Sequence, residues 1–232
     1  MTSRRVVHGV FQLASAVSNA YLLDGGVGLV LVDTGMRGRA DELRREVDHA
    51  GRAAARDLAA IAITHAHADH AGSLARLVET FHVPVVAGAL EAPAIRAGGL
   101  PPPPIPNGLL GRFMSRVSQR VEVDAGRVDL EVDDGDGIPG APALRAIHTP
   151  GHTPGHTSYL WSEEGGVLFA GDVAVNVLGL REAFVHSDRA QARETLARLA
   201  TLDFEVAVFG HGPPITGRAV ARFRKLVERF AR

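Results

Sequence analysis

Four short apolar runs each lead into a turn that carries a histidine or an aspartate, and this pattern most constrains what the chain can fold into. The runs, each with the residue that follows it, are Leu58–Ile63 with His65, Leu144–Ile147 with His152, Val167–Ala170 with Asp172, and Glu205–Phe209 with His211. Apolar runs of this length between turn residues are typical of buried strands. The pattern therefore predicts one shared site at one edge of stacked sheets.

The densest of these turns places three histidines and an aspartate within six residues. In order, the residues are His65, Ala66, His67, Ala68, Asp69 and His70. Small alanine spacers let several side chains converge, and neutral imidazole with carboxylate suits a borderline divalent ion such as zinc. The chain has no cysteine, which excludes disulfides, thiolate metal sites and a cysteine nucleophile. The turn predicts a metal site, against the alternative of packed or surface histidines.

Composition places the chain among globular proteins and argues against several classes of function. Hydrophobic residues make up 46% and charged residues 22% of its 232 residues, which excludes disorder and collagen. The 25 Lys and Arg nearly balance the 26 Asp and Glu, so we expect no nucleic-acid partner. No stretch reaches the roughly 18 apolar residues that a membrane span needs. We interpret the run Val10–Leu23 as a strand rather than a signal peptide, which predicts a cytoplasmic location.

Hydrophobic periodicity predicts a succession of strands and amphipathic helices. The predicted helices are Arg39–Ala50, Leu74–Phe81, Arg189–Leu202 and Arg218–Phe230. Further predicted strands are Ala16–Leu23, Val27–Val32, Val83–Ala87, Val128–Val132 and Ser158–Trp161. Gly51 is expected to stop the first helix.

Residues 91 to 126 interrupt this pattern, because their glycines and prolines cannot continue a helix or a central strand. A helix is predicted inside the segment, over Leu109–Val117. The segment is either a surface linker or a loop-and-helix flap beside an active site. Burial of its apolar residues against the body, or in a homodimer contact, is the alternative to the flap.

The turns together resemble the metallo-β-lactamase superfamily of hydrolases. The matching features are the His-x-His-x-Asp-His run at 65–70, His152 in a Thr-Pro-Gly-His turn, Asp172, His211 and the early motif Leu31–Gly35. The resemblance implies an α/β (α+β) fold, an αββα sandwich of two mixed β-sheets flanked by helices. It implies a single domain over residues 1–232 with the flap or insertion at 91–126, and a binuclear metal site along one sheet edge.

Carried over position by position, the resemblance implies a full set of ligands for two divalent ions. One ion takes His65, His67 and His152, the other takes Asp69, His70 and His211, and Asp172 bridges both. Zinc is the expected metal, with manganese or iron(II) as alternatives. A hydroxide that bridges the ions would attack an ester, thioester, lactone or amide carbonyl, with Asp69 as the catalytic proton acceptor.

Other polar residues receive supporting roles. His156 matches no ligand position, and we interpret it and His148 as structural. Asp33 is expected to support the ligand loop through a hydrogen bond. His186 or Arg181 could contact a substrate, but the preferred interpretation of both is a solvated loop residue.

The ligand residues, the length after His211 and the positions of the tyrosines indicate which branch of the superfamily the chain resembles. Asp172 argues against a true β-lactamase, since those enzymes lack this bridging carboxylate. Glyoxalase II-like thioesterases share the ligand set but add a C-terminal helical extension. Acyl-homoserine lactonases place a tyrosine near the metals, and neither Tyr21 nor Tyr159 stands at an equivalent position. We therefore hypothesise that the protein is a compact binuclear hydrolase of a small-molecule substrate. There are two alternatives: a mononuclear iron oxidoreductase of the persulfide dioxygenase type, and a non-hydrolytic metal-binding domain.

Overall fold

The structure is a computed structural model that describes residues 3–98, 105–106 and 124–230. Its helices are α1 (Ala40–Ala54), α2 (Ala68–Ala71), α3 (Leu74–Phe81), α4 (Ala92–Ala97), α5 (Arg189–Leu199) and α6 (Ala219–Glu228). The strands of the N-terminal half are β1 (Arg4–Val7), β2 (Val10–Ala14), β3 (Asn19–Asp24), β4 (Leu29–Val32), β5 (Leu58–Ile63), β6 (Val85–Gly88) and β7 (Ile105–Pro106). The later strands are β8 (Leu130–Val132), β9 (Gly137–Ile138), β10 (Ala141–His148), β11 (Thr157–Trp161), β12 (Val167–Phe169), β13 (Ala174–Val175), β14 (Arg181–Glu182), β15 (Val185–His186), β16 (Val206–Val208) and β17 (Ile215–Thr216).

Two mixed sheets form the centre of the described part of the chain. The first has the strand order β1-β2-β3-β4-β5-β6-β8, and the second has the order β17-β16-β12-β11-β10-β9. In the first sheet, β4, β5, β6 and β8 pair in parallel, while β1 to β4 pair antiparallel. In the second sheet, β12 and β16 are the parallel pair. The sheets and their helices confirm the predicted αββα architecture.

Buried apolar side chains form three layers that explain why the helices are amphipathic. The layer between the sheets includes Phe169. Leu43 of α1 and Leu74 of α3 pack on the outer face of the first sheet. Leu196 of α5 and Phe223 of α6 pack on the outer face of the second. Each of these four helices therefore buries its apolar stripe against a sheet and leaves its polar face to solvent.

The prediction that Gly51 ends α1 is wrong. The helix continues to Ala54, and Ala55 then adopts a left-handed conformation with φ of 53°. A Cβ atom on Gly51 would lie 2.8 Å from the carbonyl oxygen of Arg56. Gly51 thus allows the chain to fold back against the helix rather than stopping it.

The apolar run Val10–Leu23, which we interpreted as one strand, forms the two antiparallel strands β2 and β3. Ser15 explains the turn between them. Its hydroxyl donates to the carbonyl of Ser18 (2.7 Å) and accepts from the N–H groups of Val17 and Ser18. A serine that satisfies neighbouring backbone groups in this way favours a turn over a continuous strand.

Most of the segment 91–126, including the predicted helix Leu109–Val117, lies outside the described residues. Within it, α4 follows β6, and β7 pairs antiparallel with β15. Across the described ranges, no helix is long and apolar enough to cross a membrane.

Candidate metal centre

The four turns that follow the apolar runs meet at one edge of the sandwich. Their ligand atoms form three overlapping groups, in each of which the atoms lie within 4.8 Å of one another. The first group is His65, His67 and His152, the second group is Asp69, His70 and His211, and His65, His70 and Asp172 form a third group that overlaps both. The structure therefore brings together every residue that the sequence predicted as a metal ligand.

Three histidine nitrogens converge in the first group. His65 Nε2 lies 2.9 Å from His67 Nδ1, and His152 Nε2 lies 3.2 Å from His65 Nε2 and 3.0 Å from His67 Nδ1. Burial lowers the pKa of all three imidazoles, in the case of His152 to about 4. These rings are therefore neutral near pH 7, which is the form that binds a metal ion.

The hydrogen bonds behind two of these rings fix which nitrogen carries the proton. His152 Nδ1 must donate, because its partner is the carbonyl oxygen of Val185 at 2.8 Å. The Thr64 hydroxyl donates to Asp33 and so accepts from His65 Nδ1 at 3.0 Å. The Nε2 atoms of His65 and His152 therefore face each other as two lone pairs. A cation between them is the natural partner for this arrangement.

Carboxylate oxygens of Asp69 and Asp172 lie beside the histidines of the second group. His211 Nε2 lies 3.3 Å from Asp69 Oδ2 and 3.1 Å from Asp172 Oδ2, and His70 Nε2 lies 3.5 Å from Asp172 Oδ1. Asp172 Oδ2 is also 3.7 Å from His152 Nε2. Asp172 thus contacts histidines of both groups, whereas Asp69 contacts only the second.

The charges of the second group favour a cation. Burial opposes charge on His70, but Asp172, Asp33 and Asp69 outweigh it and raise the pKa of His70 to about 9. Burial likewise opposes charge on His211, and Asp172 and Asp69 still raise its pKa well above the usual value. The pKa values of the Asp69 and Asp172 carboxyls are held low against burial, chiefly by His70 and His211. The carboxylates of this half therefore favour a positive charge beside them, either protons on His70 and His211 or a metal ion in their place.

Two buried atoms identify where that charge would sit. Within the described residues, His70 Nε2 and Asp172 Oδ1 have no hydrogen-bond partner. Leaving a buried polar atom unsatisfied costs about 1–3 kcal/mol. Gly210 allows these atoms to approach the strand end, since a Cβ there would lie 2.1 Å from Asp172 Oδ1. Imidazole nitrogens with carboxylate oxygens form a donor set that fits zinc and similar divalent ions.

Asp33 supports both halves of the ligand loop, as predicted. Its carboxylate accepts from the N–H and hydroxyl of Thr64 and from His70 Nδ1 at 2.8 Å. Asp33 adopts a left-handed backbone conformation with φ of 60°, which costs a residue other than glycine about 1–3 kcal/mol. His211 is oriented in a similar way, through Nδ1 and the carbonyl of Val17 at 2.8 Å.

His156 and His148 occupy structural positions, in agreement with the prediction. His156 Nε2 accepts from the backbone N–H of Asp172 at 3.0 Å, and its Nδ1 lies 2.7 Å from the Thr149 hydroxyl. Both ring nitrogens of His156 are thus engaged, and the ring holds Asp172 in place. His148 Nε2 bonds the carbonyl of Pro154 at 3.1 Å.

The interpretation of His186 as a solvated loop residue is wrong. Its side chain is fully buried, and its ring centroid lies 6.5 Å from that of His152. Two hydrogen bonds hold this strand beside the His152 turn: Ser187 N–H donates to the carbonyl of His152 at 3.0 Å, and His152 Nδ1 donates to the carbonyl of Val185 at 2.8 Å. The local sequence does not show this contact. Arg181 is exposed, as the solvated interpretation expects, and Nη2 bonds the carbonyl of Leu178.

The hydroxyls of the two tyrosines are bonded to backbone carbonyls. The hydroxyl of Tyr21 donates to the carbonyl of Phe209, and that of Tyr159 donates to the carbonyl of Ile63, each at 2.8 Å. Both side chains are buried between the sheets and serve as hydrogen-bonded core residues.

Sequence reasoning missed Glu91. Its carboxylate is buried and accepts from the N–H of Ala66 and the hydroxyl of Thr153, two residues adjacent to ligands. A signal was present, because Glu91 follows the end of β6 much as the ligands follow the ends of β5, β12 and β16.

Comparisons with known proteins agree with this geometry. A family model described as "Metallo-beta-lactamase superfamily" matches residues 16–211. The "Probable metallo-hydrolase YflN" of Bacillus subtilis is 31% identical, over 90% of this chain and 86% of that protein. An uncharacterized protein of Mycobacterium tuberculosis is 30% identical, over 92% of this chain and 94% of its own length.

Solved structures show the same fold. BJP-1, a subclass B3 metallo-beta-lactamase of Bradyrhizobium japonicum, superposes with a TM-score of 0.72 at 23% identity, covering 100% of this chain and 92% of that one. A mutant metallo-beta-lactamase of Cronobacter sakazakii gives a TM-score of 0.73 at 21% identity, with 100% and 93% coverage. At these identities the likeness concerns the fold.

Proposed function

Because the chain belongs to the metallo-beta-lactamase superfamily, we propose that it is a binuclear metallohydrolase of a small ester, thioester, lactone or related carbonyl compound. His65, His67 and His152 would hold one divalent ion, and Asp69, His70 and His211 the other. The observation that carries the proposal is the position of Asp172, in contact with histidines of both groups. A carboxylate so placed can bind two ions at once.

The ions would supply the chemistry that no side chain here can supply alone: divalent cations acidify a coordinated water and polarise a carbonyl. We propose zinc, which suits the nitrogen-rich donor set, with manganese or iron(II) as alternatives.

Asp69 is proposed to move the proton. Its carboxylate is ionised near pH 7, because His70 and His211 keep its pKa low against the effect of burial. Oδ2 faces His211 and His70, so Oδ1 is the atom that would accept a proton from water and return it to the leaving group. The Asp69 and His211 side chains are the most exposed of the ligand set, which supports substrate entry from their side.

Asp172 also bears on the substrate. The true β-lactamases lack a bridging carboxylate at this position, so we propose a carbonyl substrate other than a β-lactam. We also propose that the segment 91–126 is a flap beside the site that selects the acyl or leaving group of the substrate.

A hydrolysis screen tests this proposal. Metal-loaded protein should hydrolyse at least one of a panel of lactones, thioesters and esters, and removal of the metal by a chelator should abolish the activity. The Asp69→Asn variant should lose most of its turnover at matched metal content. Activity confined to β-lactams, or none that depends on metal, would contradict the proposal. One bound iron with oxygen-dependent turnover would instead support the oxidoreductase alternative.

A further inference from the structure

Glu91 is a buried acidic side chain that lies outside the proposed ligand set. We propose that it is a positioning residue that holds the loop of His65 and His67 at a fixed distance from the turn of His152. By doing so it sets the affinity of that ligand group for its ion. The inference rests on the proposed function, because it assumes that these histidines bind a metal.

Direct contacts connect Glu91 to both segments. Oε1 accepts from the N–H of Ala66 at 2.7 Å, and Ala66 lies between His65 and His67. Oε2 accepts from the hydroxyl of Thr153 at 2.8 Å, and Thr153 directly follows His152. One side chain therefore connects the two segments that supply the whole first ligand group.

The backbone around Glu91 is equally close to the His152 turn. A Cβ atom on Gly155 would lie 2.3 Å from the backbone nitrogen of Glu91, and one on Gly88 would lie 2.3 Å from the Thr157 hydroxyl. The end of β6 thus packs on the turn without intervening side chains. Glu91 starts from a fixed position, which is what a positioning residue requires.

Burial of this carboxylate calls for a reason. The Glu91 residue is 1% exposed, and the Ala66 N–H and Thr153 hydroxyl that donate to its carboxylate are neutral. Burial raises the pKa of Glu91, opposed by hydrogen bonds from Ala66, Thr153 and Gly155. A buried carboxylate is costly unless its oxygens are satisfied, and here the donors come from the ligand segments.

The second ligand group depends on other supports. His70 is held by Asp33, and His211 is held by the carbonyl of Val17. Neither support contacts Glu91. Loss of Glu91 should therefore weaken the first group and spare the second.

Two variants, each of which keeps one of the two ligand groups intact, serve as backgrounds in which to test this selectivity. His211→Ala impairs the second group and leaves the first intact, whereas His152→Ala does the reverse. Zinc affinity of each metal-free protein is measured by competition with a chromophoric chelator, with and without Glu91→Ala. We expect Glu91→Ala to lower zinc affinity about 10–100-fold in the His211→Ala background, the usual effect of losing a residue that orients ligands. In the His152→Ala background we expect little change.

Two variants separate positioning from general stability. Glu91→Gln can still accept from Ala66 and can donate to the Thr153 hydroxyl, so it should restore most of the affinity. Glu131→Gln removes an exposed carboxylate that pairs with Arg96 of α4, and it should leave both affinities unchanged. If Glu91→Ala fails to fold, Thr153→Val removes the hydrogen bond to the His152 turn from the Thr153 side chain and should lower affinity in the same background.

An equal loss of affinity in both backgrounds would overturn the inference, and so would no loss in either. A failure of the proposed function looks different. Wild-type protein would then bind fewer than two ions, while the His211→Ala background would still report on Glu91.

Discussion

Carboxylates in this site differ in role because their oxygens face different partners. Both carboxylate oxygens of Asp33 accept hydrogen bonds from Thr64 and His70. Asp33 can therefore orient ligands but has no lone pair directed at an ion. Asp172 keeps Oδ1 without a hydrogen-bond partner among the described residues. Asp69 is partly exposed and is the one suited to exchange a proton with water.

At the residue scale, we predict that Asp33→Asn lowers both the stability of the metal-free protein and its zinc affinity, although Asp33 is not a proposed metal ligand. An asparagine keeps the shape of Asp33 but points an N–H₂ group at the donors that the carboxylate accepts. The unmatched donors should cost about 1–3 kcal/mol in the free energy of unfolding of the metal-free protein, measured in urea. Zinc affinity should fall as well, because His70 loses its orientation.

Asp24→Asn is the matched control for this prediction. Asp24 pairs with Arg56 near the surface, where an ion pair contributes about 0–1 kcal/mol. Equal destabilisation by the two variants would show that Asp33 has no special role in the ligand loop.

A second prediction concerns Gly210. A Cβ atom there would lie 2.1 Å from Asp172 Oδ1 and 2.5 Å from His70 Cε1, so Gly210→Ala must displace one of these ligands. We expect the variant to fold and to bind less zinc than wild type. Gly137→Ala is the control, since its nearest neighbour is the flexible end of Arg145. Full zinc binding by Gly210→Ala would place the ligands elsewhere.

At the scale of elements, the sequence predicts the helices and strands whose boundaries are marked by neighbouring residues. The strand β5 coincides with its predicted bounds, and α3 does as well, because apolar spacing and turn residues mark both. Glu91 and His186 were missed or misread, because their roles come from contacts with chain segments far away in sequence. The order of the strands likewise follows from tertiary pairing, and the sandwich was expected from the resemblance rather than from periodicity.

The connection between β14 and α5 gives a pH-dependent prediction. Burial opposes charge on Glu182, but bonds from Arg189 and Arg193 outweigh it and lower the pKa of Glu182 to about 2. A carboxyl whose pKa is lower in the folded than in the unfolded state stabilises the fold above its unfolded pKa. That stabilisation is lost as pH falls through the folded pKa.

Wild type should therefore lose more free energy of unfolding than Glu182→Gln between about pH 4.5 and pH 2. Urea denaturation of both proteins across this range provides the measurement. Parallel pH profiles would mean that the ion pairs of Glu182 do not contribute to stability.

At the scale of the whole molecule, α6 packs in a core layer of apolar side chains that includes none of the proposed metal ligands. Phe223 of α6 packs edge to face on Phe204 and stacks on Phe209, on the outer face of the second sheet. The ligands lie at the sheet edge, beyond the ends of the strands. Stability lost in this layer should therefore leave the metal site intact in the protein that remains folded.

Phe223→Ala tests this separation. Removal of a buried phenylalanine side chain should cost about 3–5 kcal/mol in the free energy of unfolding. Zinc stoichiometry of the folded variant should equal that of wild type. A variant that loses metal in proportion to stability would show that core and site are coupled.

Metal content is the measurement that tests the central claim most directly. Elemental analysis of wild type saturated with zinc and then freed of excess should find two ions per chain, and Asp69→Ala and His211→Ala should each bind fewer. Asp172→Ala should also lose metal, because its carboxylate contacts both ligand groups. One ion per chain in wild type, unchanged in Asp69→Ala and His211→Ala, would contradict a binuclear centre.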